Sequence, residues 1–342
     1  MRLPKGYRIL RPVHPNAGIR AQYQKKLDAL IEEMQASYER WVLAAYRRNE
    51  PEIAQDAAPK RITAVEGAFG DTSFWTVYVD GIQLRKPDGG GRTFRSQDAA
   101  EAAGLREGGA RAQVTVPVQA DDRFSRDSLK DLPLAPTPAQ ELDQVVADLG
   151  IKWAAKIDAT APKLARWFAT SAHNRSEAGL KKILSDGGMS VPFDMTPAMR
   201  DIFNATVAEN VGLIKSIGSQ YHTEVQGMVM RSVAAGRDLG MLTDEMTERY
   251  GITRRRAARI ALDQNNKSTS AMVRVRQSDL GIMAVWLHSA GGKEPRPTHV
   301  ANSGKPYDPK TGWLDPAVNR YIWPGTEINC RCVSKSVIKG FS

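Results

Sequence analysis

Four side chains near the C-terminal end of this 342-residue chain could do chemistry together: His288, His299, Cys330 and Cys332. Two imidazoles and two thiolates form a donor set that satisfies structural zinc in tetrahedral geometry. The cysteines are the chain's only two and stand one residue apart in Asn329-Cys330-Arg331-Cys332, which puts both sulfurs on one face of an extended segment. Zinc motifs more often separate paired cysteines by two or more residues. A second reading therefore stands beside the first, in which the thiols pack as small apolar groups and the histidines bond loop backbone. A closed four-ligand site would leave no position for a water, which argues against metal-assisted hydrolysis. No nucleophile elbow, P-loop, dinucleotide fingerprint or carboxylate pair is present, so no catalytic residue is assigned.

The second chemical signal is charge. The chain carries 48 Lys+Arg against 38 Asp+Glu, a net charge of +10. The excess sits at the two ends, +4 over 1–60 and +7 over 241–342, with a nearly neutral middle. Arg254, Arg255, Arg256, Arg259, Arg274 and Arg276 fall in the second basic stretch and are candidates for contact with nucleic acid or an acidic protein surface. A solvated basic face is the plain alternative. The string from Leu242 to Ala257 reads as two short helices about Gly251, the second capped at Thr253 and opening on arginines, an arrangement like a helix-turn-helix.

The elements that must position these groups follow from periodicity. Residues 1–60 read as a Pro-rich basic arm followed by an amphipathic helix from Gln22, with Tyr23, Leu27, Leu30, Ile31, Met34, Tyr38, Trp41, Val42 and Ala45 as its apolar stripe and Pro51 as the stop. Residues 61–120 read as a small β/α module. Phe74 to Val79 is a strand, Asp80-Gly81 a hairpin turn and Ile82 to Leu84 the return. After the Gly89-Gly90-Gly91 run, Ser96 caps a short helix that ends at Gly104. A Pro-rich linker spans 121–138, a helical body 139–281, and a mixed β/loop cap 282–342 whose first strand ends at His288. In the body one apolar stripe runs from Leu142 to Ile157 and resumes after Pro162 at Leu164, Trp167 and Phe168, and a second helix opens at Thr196-Pro197 with Met199, Ile202, Phe203, Val207, Val211 and Ile214 inward. The last strand is expected beside it, bringing His299 close. The fold class is α+β: a mainly helical body, a small β insertion near the N-terminus and a small mixed C-terminal domain. No apolar run approaches the roughly 18 residues that cross a bilayer, no secretory leader is evident, and two cysteines make no disulfide framework, so a non-secreted protein of a reducing compartment is expected.

The C-terminal part, from about Leu262 to Val333, resembles the phage Mu F-like minor head proteins, also called phage head morphogenesis proteins. The resemblance is carried by Asp263-Gln264-Asn265, Glu294-Pro295-Arg296-Pro297-Thr298-His299, Gly304-Lys305-Pro306-Tyr307, Trp323-Pro324 and Asn329-Cys330-Arg331-Cys332. Glu294 stands where that family usually has Asp. The resemblance implies a non-enzymatic minor structural protein of a tailed bacteriophage, several copies per virion, acting in head morphogenesis near the portal. Implied partners are the portal protein, the major capsid protein or scaffold, and packaged DNA bound without sequence preference, with no membrane. Its implied location is the phage head, and the host cytoplasm during assembly. Two other classes stay open from the residues: a DNA-binding protein using 242–257, and a metal-dependent nuclease or toxin-like enzyme using His288 and His299. Cofactors are expected to be none, or one structural zinc.

Overall fold

The computed structural model describes residues 6–48, 61–69, 72–79, 82–84, 92–108, 113–114, 137–234, 239–289 and 294–339. The chain is α+β and mainly helical, and it divides into two compact units, Met1–Tyr46 with Pro138–Ser342, and Arg47–Thr137.

The smaller unit is a five-stranded sheet with one helix. Strands β2 (Arg61–Phe69) and β3 (Thr72–Val79) form its antiparallel centre, with β4 (Ile82–Gln83) and β5 (Thr93–Phe94) on β3 and β6 (Gln113–Val114) parallel to β2. The expected hairpin is present through its strands, while its turn at Asp80-Gly81 and the glycine run at 89–91 lie outside the described residues, as does most of the Pro-rich linker. Helix α2 (Gln97–Gly108) is capped as expected, the Ala99 amide donating to Ser96 Oγ at 3.3 Å. It does not stop at Gly104. That glycine faces the sheet, where a Cβ would meet Ile62 at 2.5 Å and Val77 at 2.9 Å, so it marks a close helix–sheet approach rather than a helix end.

The larger unit is built on four long helices: α1 (Ala17–Arg48), α3 (Pro138–Asp186), α4 (Pro197–Ala234) and α5 (Leu239–Asp279). Helix α1 starts five residues before the apolar stripe at Gln22, because Asn16 caps it by accepting from the Ile19 amide at 3.0 Å. Its inward tyrosines reach across to α4. Tyr23 donates to Asn210 at 2.8 Å, Tyr46 and Ser232 share a hydrogen bond of 2.9 Å, and Tyr38 and His222 share another of 2.9 Å. Tyr221 of α4 answers with a bond to Gln35. Burial pushes the hydroxyls of Tyr23, Tyr38 and Tyr221 above the usual phenol range, so they remain donors. Helices α3 and α4 meet at small residues instead. A Cβ on Gly218 would come within 2.1 Å of Ile157. Helix α3 continues through Pro162, consistent with the apolar stripe resuming beyond it.

Two sequence expectations change here. Helix α5 is one unbroken helix across Gly251, and Thr253 is no cap: its hydroxyl donates to the Arg249 carbonyl one turn back at 2.9 Å. A mid-helix glycine costs only about 1 kcal/mol, and the buried Leu242, Met246, Ala257 and Ala261 on either side offset that. The helix-turn-helix-like arrangement is therefore absent. Arg276 is also no surface contact. It is 3% exposed, its guanidinium paired with Glu177 of α3 and donating at 3.0 Å to the Asp194 carbonyl.

The cap completes this unit. Strands β7 (Met283–Leu287), β8 (Pro306–Tyr307) and β11 (Val333–Lys339) join β1 (Tyr7–Ile9) in one antiparallel sheet of order β1-β11-β7-β8. The Pro-rich arm thus enters the sheet, Tyr7 opposite Lys339 and Ile9 opposite Val337, and buries Val13 against Leu180, Leu184 and Ile338. A hairpin of β9 (Trp313–Asp315) and β10 (Arg320–Ile322) and the one-turn helix α6 (Pro297–Ala301) fill the space between β7 and β11 in the chain. Among the described residues no helix is long and apolar enough to cross a membrane.

Two outcomes follow. Glu177→Ala should cost about 3–5 kcal/mol by leaving the Arg276 charge buried and unpaired, measured by urea unfolding. Burial also lowers the pKa of His222 and, against an opposing pull from Glu177, that of His173. The unfolded chain then takes up these protons first, so melting temperature should fall as pH drops below about 6.5, and His173→Gln should flatten that slope.

Candidate metal centre

The four chemically suggestive residues converge from three segments. His288 follows β7, His299 lies on α6, and Cys330 and Cys332 lead into β11. The strand register explains part of this: Val333 pairs with Leu287, so Cys332 and His288 sit beside each other at the next position along the two strands. The cysteines precede the strand rather than lying on it, in a turn where Asn329 takes a left-handed φ of 60° and the Cys330 amide donates to the Glu327 carbonyl at 2.9 Å. His299 is brought in by α6, whose chain then returns through Gly304, bonded to the Trp286 carbonyl at 2.8 Å.

His299 Nδ1 lies 3.5 Å from Cys330 Sγ and 3.7 Å from Cys332 Sγ, and the three donor atoms fall within 4.8 Å of one another. His288 Nδ1 lies 3.7 Å from Cys332 Sγ but outside that inner triplet. Behind His299, Asp315 Oδ2 faces Nε2 at 3.5 Å, both side chains 2% exposed. Asp315 also accepts from Thr298 Oγ1 at 3.3 Å and from the Ala317 amide at 3.0 Å. Trp286 and Trp313 set their rings edge-on to the imidazole. Both sulfurs are buried. The Cys330 thiol is pulled down, first by the Cys332 thiol that donates to it, with His299 adding to the effect against burial. Cys332 moves the other way, raised by the same shared bond and by burial.

Helix α5 supports this cluster from below. Asp263 Oδ1 accepts from the Asn329 amide at 2.7 Å, Asn266 donates to the Cys330 carbonyl at 3.3 Å, and Ser270 donates to the Pro324 carbonyl. Gln277 binds Ser334 and Ser336 of β11, each at 2.9 Å. These positions recur at three, four and seven residues, one face of the helix. Arg274 lies on the same helix with its guanidinium 4.3 Å from the centre of the Trp323 ring, which shields much of it from water.

The basic residues divide. Arg254, Arg255 and Arg259 are exposed on α5, Arg254 with an exposed contact to Asp28 at 3.5 Å. Arg256 is half-buried and donates to Ser216, while Arg274 and Arg276 are taken up by Trp323 and Glu177. Sequence reasoning missed Asp315. It stands in a turn-rich stretch with no spacing that ties it to His299, and only the β9–β10 hairpin brings it under the imidazole.

Residues 223–335 match the family model described as Phage Mu protein F like protein. The matched stretch runs from within α4 through α5 and the cap, and contains every donor of the cluster. A curated protein of Haemophilus influenzae (strain ATCC 51907 / DSM 11121 / KW20 / Rd), described only as an uncharacterized protein, is 31% identical over 143 residues, 42% of this chain and 31% of that relative's length. The chain thus spans about a third of the curated relative it matches. No solved structure matches the chain.

Asp263→Ala should hand the exposed Asn329 amide to water and cost about 0.5–1.5 kcal/mol. Hydrogen exchange at that amide should quicken more than at the α1–α4 interface.

Proposed function

We propose that this protein is a minor structural component of a tailed-bacteriophage head that takes part in head morphogenesis, docked where portal and capsid meet. The carrying observation is the coincidence of the Mu F-like match with one built substructure: the matched stretch contains α5, the cap and the bonds between them, Asp263 to the Asn329 amide and Asn266 to the Cys330 carbonyl among them. Asp263, Asn329, His299, Cys330, Cys332 and Trp323 act in holding a fold together, which suits a scaffold element better than a catalyst. Both sulfurs are buried within the cap, which supports a holding role for them.

The surface supports a docking role. The cap exposes Val300, Leu314, Val318, Tyr321 and Ile328, apolar side chains of the kind that anchor protein contacts. The three exposed arginines of α5 supply a separate basic strip for an acidic portal surface or for DNA phosphates.

The decisive experiment is quantitative mass spectrometry of purified phage heads with and without the intact gene. The protein should be found in heads at far fewer copies than the major capsid protein, and its loss should yield malformed or unfilled heads. Absence from heads with unchanged head yield would overturn the reading. For the basic strip, the triple variant Arg254→Ala, Arg255→Ala, Arg259→Ala should bind duplex DNA more weakly at every sequence, its log–log salt slope shallower by up to about 3. An unchanged slope would assign the strip to protein instead.

A further inference from the structure

The geometry points to a zinc site in the cap: Cys330 Sγ, Cys332 Sγ and His299 Nδ1 as three ligands, His288 Nδ1 as the fourth, and Asp315 fixing His299 from behind. This does not depend on the proposed role in head assembly.

Ligand bonds of about 2.3 Å to sulfur and 2.0–2.1 Å to nitrogen, set at tetrahedral angles, put sulfur and nitrogen about 3.6 Å apart. Three of the four nitrogen–sulfur edges are 3.5, 3.7 and 3.7 Å, and two of them belong to the triplet of His299 with both sulfurs. These edges match those of a metal tetrahedron. His288 meets one edge and is half-buried, so it closes the fourth corner from the rim by rotating about its own side-chain bonds.

The imidazole of His299 carries the second argument. A metal-bound histidine typically turns its other nitrogen to a carboxylate, which fixes the tautomer and aims the ligand nitrogen. His299 Nε2 faces Asp315 at 3.5 Å and meets no closer acceptor, while Nδ1 faces the sulfurs. Asp315 is itself held by Thr298 and the Ala317 amide. A buried carboxylate placed behind a buried imidazole, with two buried thiols in front, is costly unless a cation sits at the centre.

The third argument is need. The cap's central cluster of buried apolar residues is small: Ala284, Trp286, Tyr307, Ile322 and the two cysteines themselves. Such a core supports little on its own, and a metal joining three chain segments supplies the missing cross-link where disulfides do not persist. Two other uses of the same atoms fit less well. A cysteine–histidine–aspartate nucleophile needs an accessible sulfur, and both sulfurs are buried. A Cys330–Cys332 disulfide would leave His299 Nδ1 without the thiol donors it faces.

The full-length protein, prepared without chelator, should carry close to one zinc per chain by elemental analysis. Exchange for Co²⁺ should give the intense visible bands and sulfur-to-metal charge transfer of a tetrahedral centre with two thiolates. Cys332→Ser should lose the metal. Metal binding and cap folding are coupled, so two milder changes that spare the fold carry the proposal independently. Asp315→Asn should keep the Co²⁺ spectrum while lowering zinc affinity about 10–100-fold, and His288→Ala should keep the metal but release it faster to a competing chelator. A folded wild-type chain with less than about half an equivalent of zinc and no tetrahedral Co²⁺ spectrum on titration would overturn the assignment. So would a Cys330–Cys332 disulfide in protein isolated from a reducing cytoplasm, or zinc affinity unmoved by Asp315→Asn.

Discussion

Four consecutive polar residues on α5, Asp263 to Asn266, hold the larger unit together. At about 100° of rotation per residue, successive side chains leave a helix in different directions, and each of these four finds a different partner. Asp263 takes the Asn329 amide of the cap. Gln264 turns to α4, donating to Glu209 and accepting from Asn210, which in turn accepts from Tyr23 of α1, so one chain of bonds crosses three helices. Asn265 donates to the Asn16 carbonyl at the entry of α1, and Asn266 to the Cys330 carbonyl. Buried amides of this kind are expensive when unpaired and directional when paired, so they fix one relative placement of cap, arm and helical body where apolar packing alone would accept several.

That arrangement explains why a short polar string carried so much of the resemblance read from the sequence. Asp263-Gln264-Asn265 and Asn329-Cys330-Arg331-Cys332 are far apart in the chain, yet the first holds the backbone of the second. Neither string needs a reaction to explain its composition. The same economy accounts for the arginines: Arg276 and Arg274 serve the interior through Glu177 and Trp323, leaving the exposed charge on the upstream turns of α5.

Periodicity made much of the fold legible. The apolar stripes located α1, α3, α4 and most of α5, and β-rich runs located β3 and β7, because burial on one face leaves a repeating mark. Glycine was the main source of error. Gly104 and Gly251 both looked like helix ends, but the first is where a helix touches a sheet and the second is simply tolerated within a long helix. Capping by Asn16 was in the sequence and went unread. The chemical donors could be named from residue type, since two cysteines and two histidines in one turn-rich segment stand out. Asp315 could not, because its place under His299 is set by a hairpin and not by spacing. The pairing of the N-terminal arm with β11 was equally hidden, as three exposed residues carry no alternation that would mark them as a strand.

That pairing shapes how the molecule comes into being. Strand β1 leaves the ribosome long before its neighbour β11, so the edge that β11 offers is met only by a segment made much earlier. Contacts of such separation are slow to form, and every helix of the body can collapse while β1 still waits. The cap sheet is then the last part to close. Until β11 is in place, β1 and β7 have no strand between them, and the β7 edge stands open to pairing with another chain.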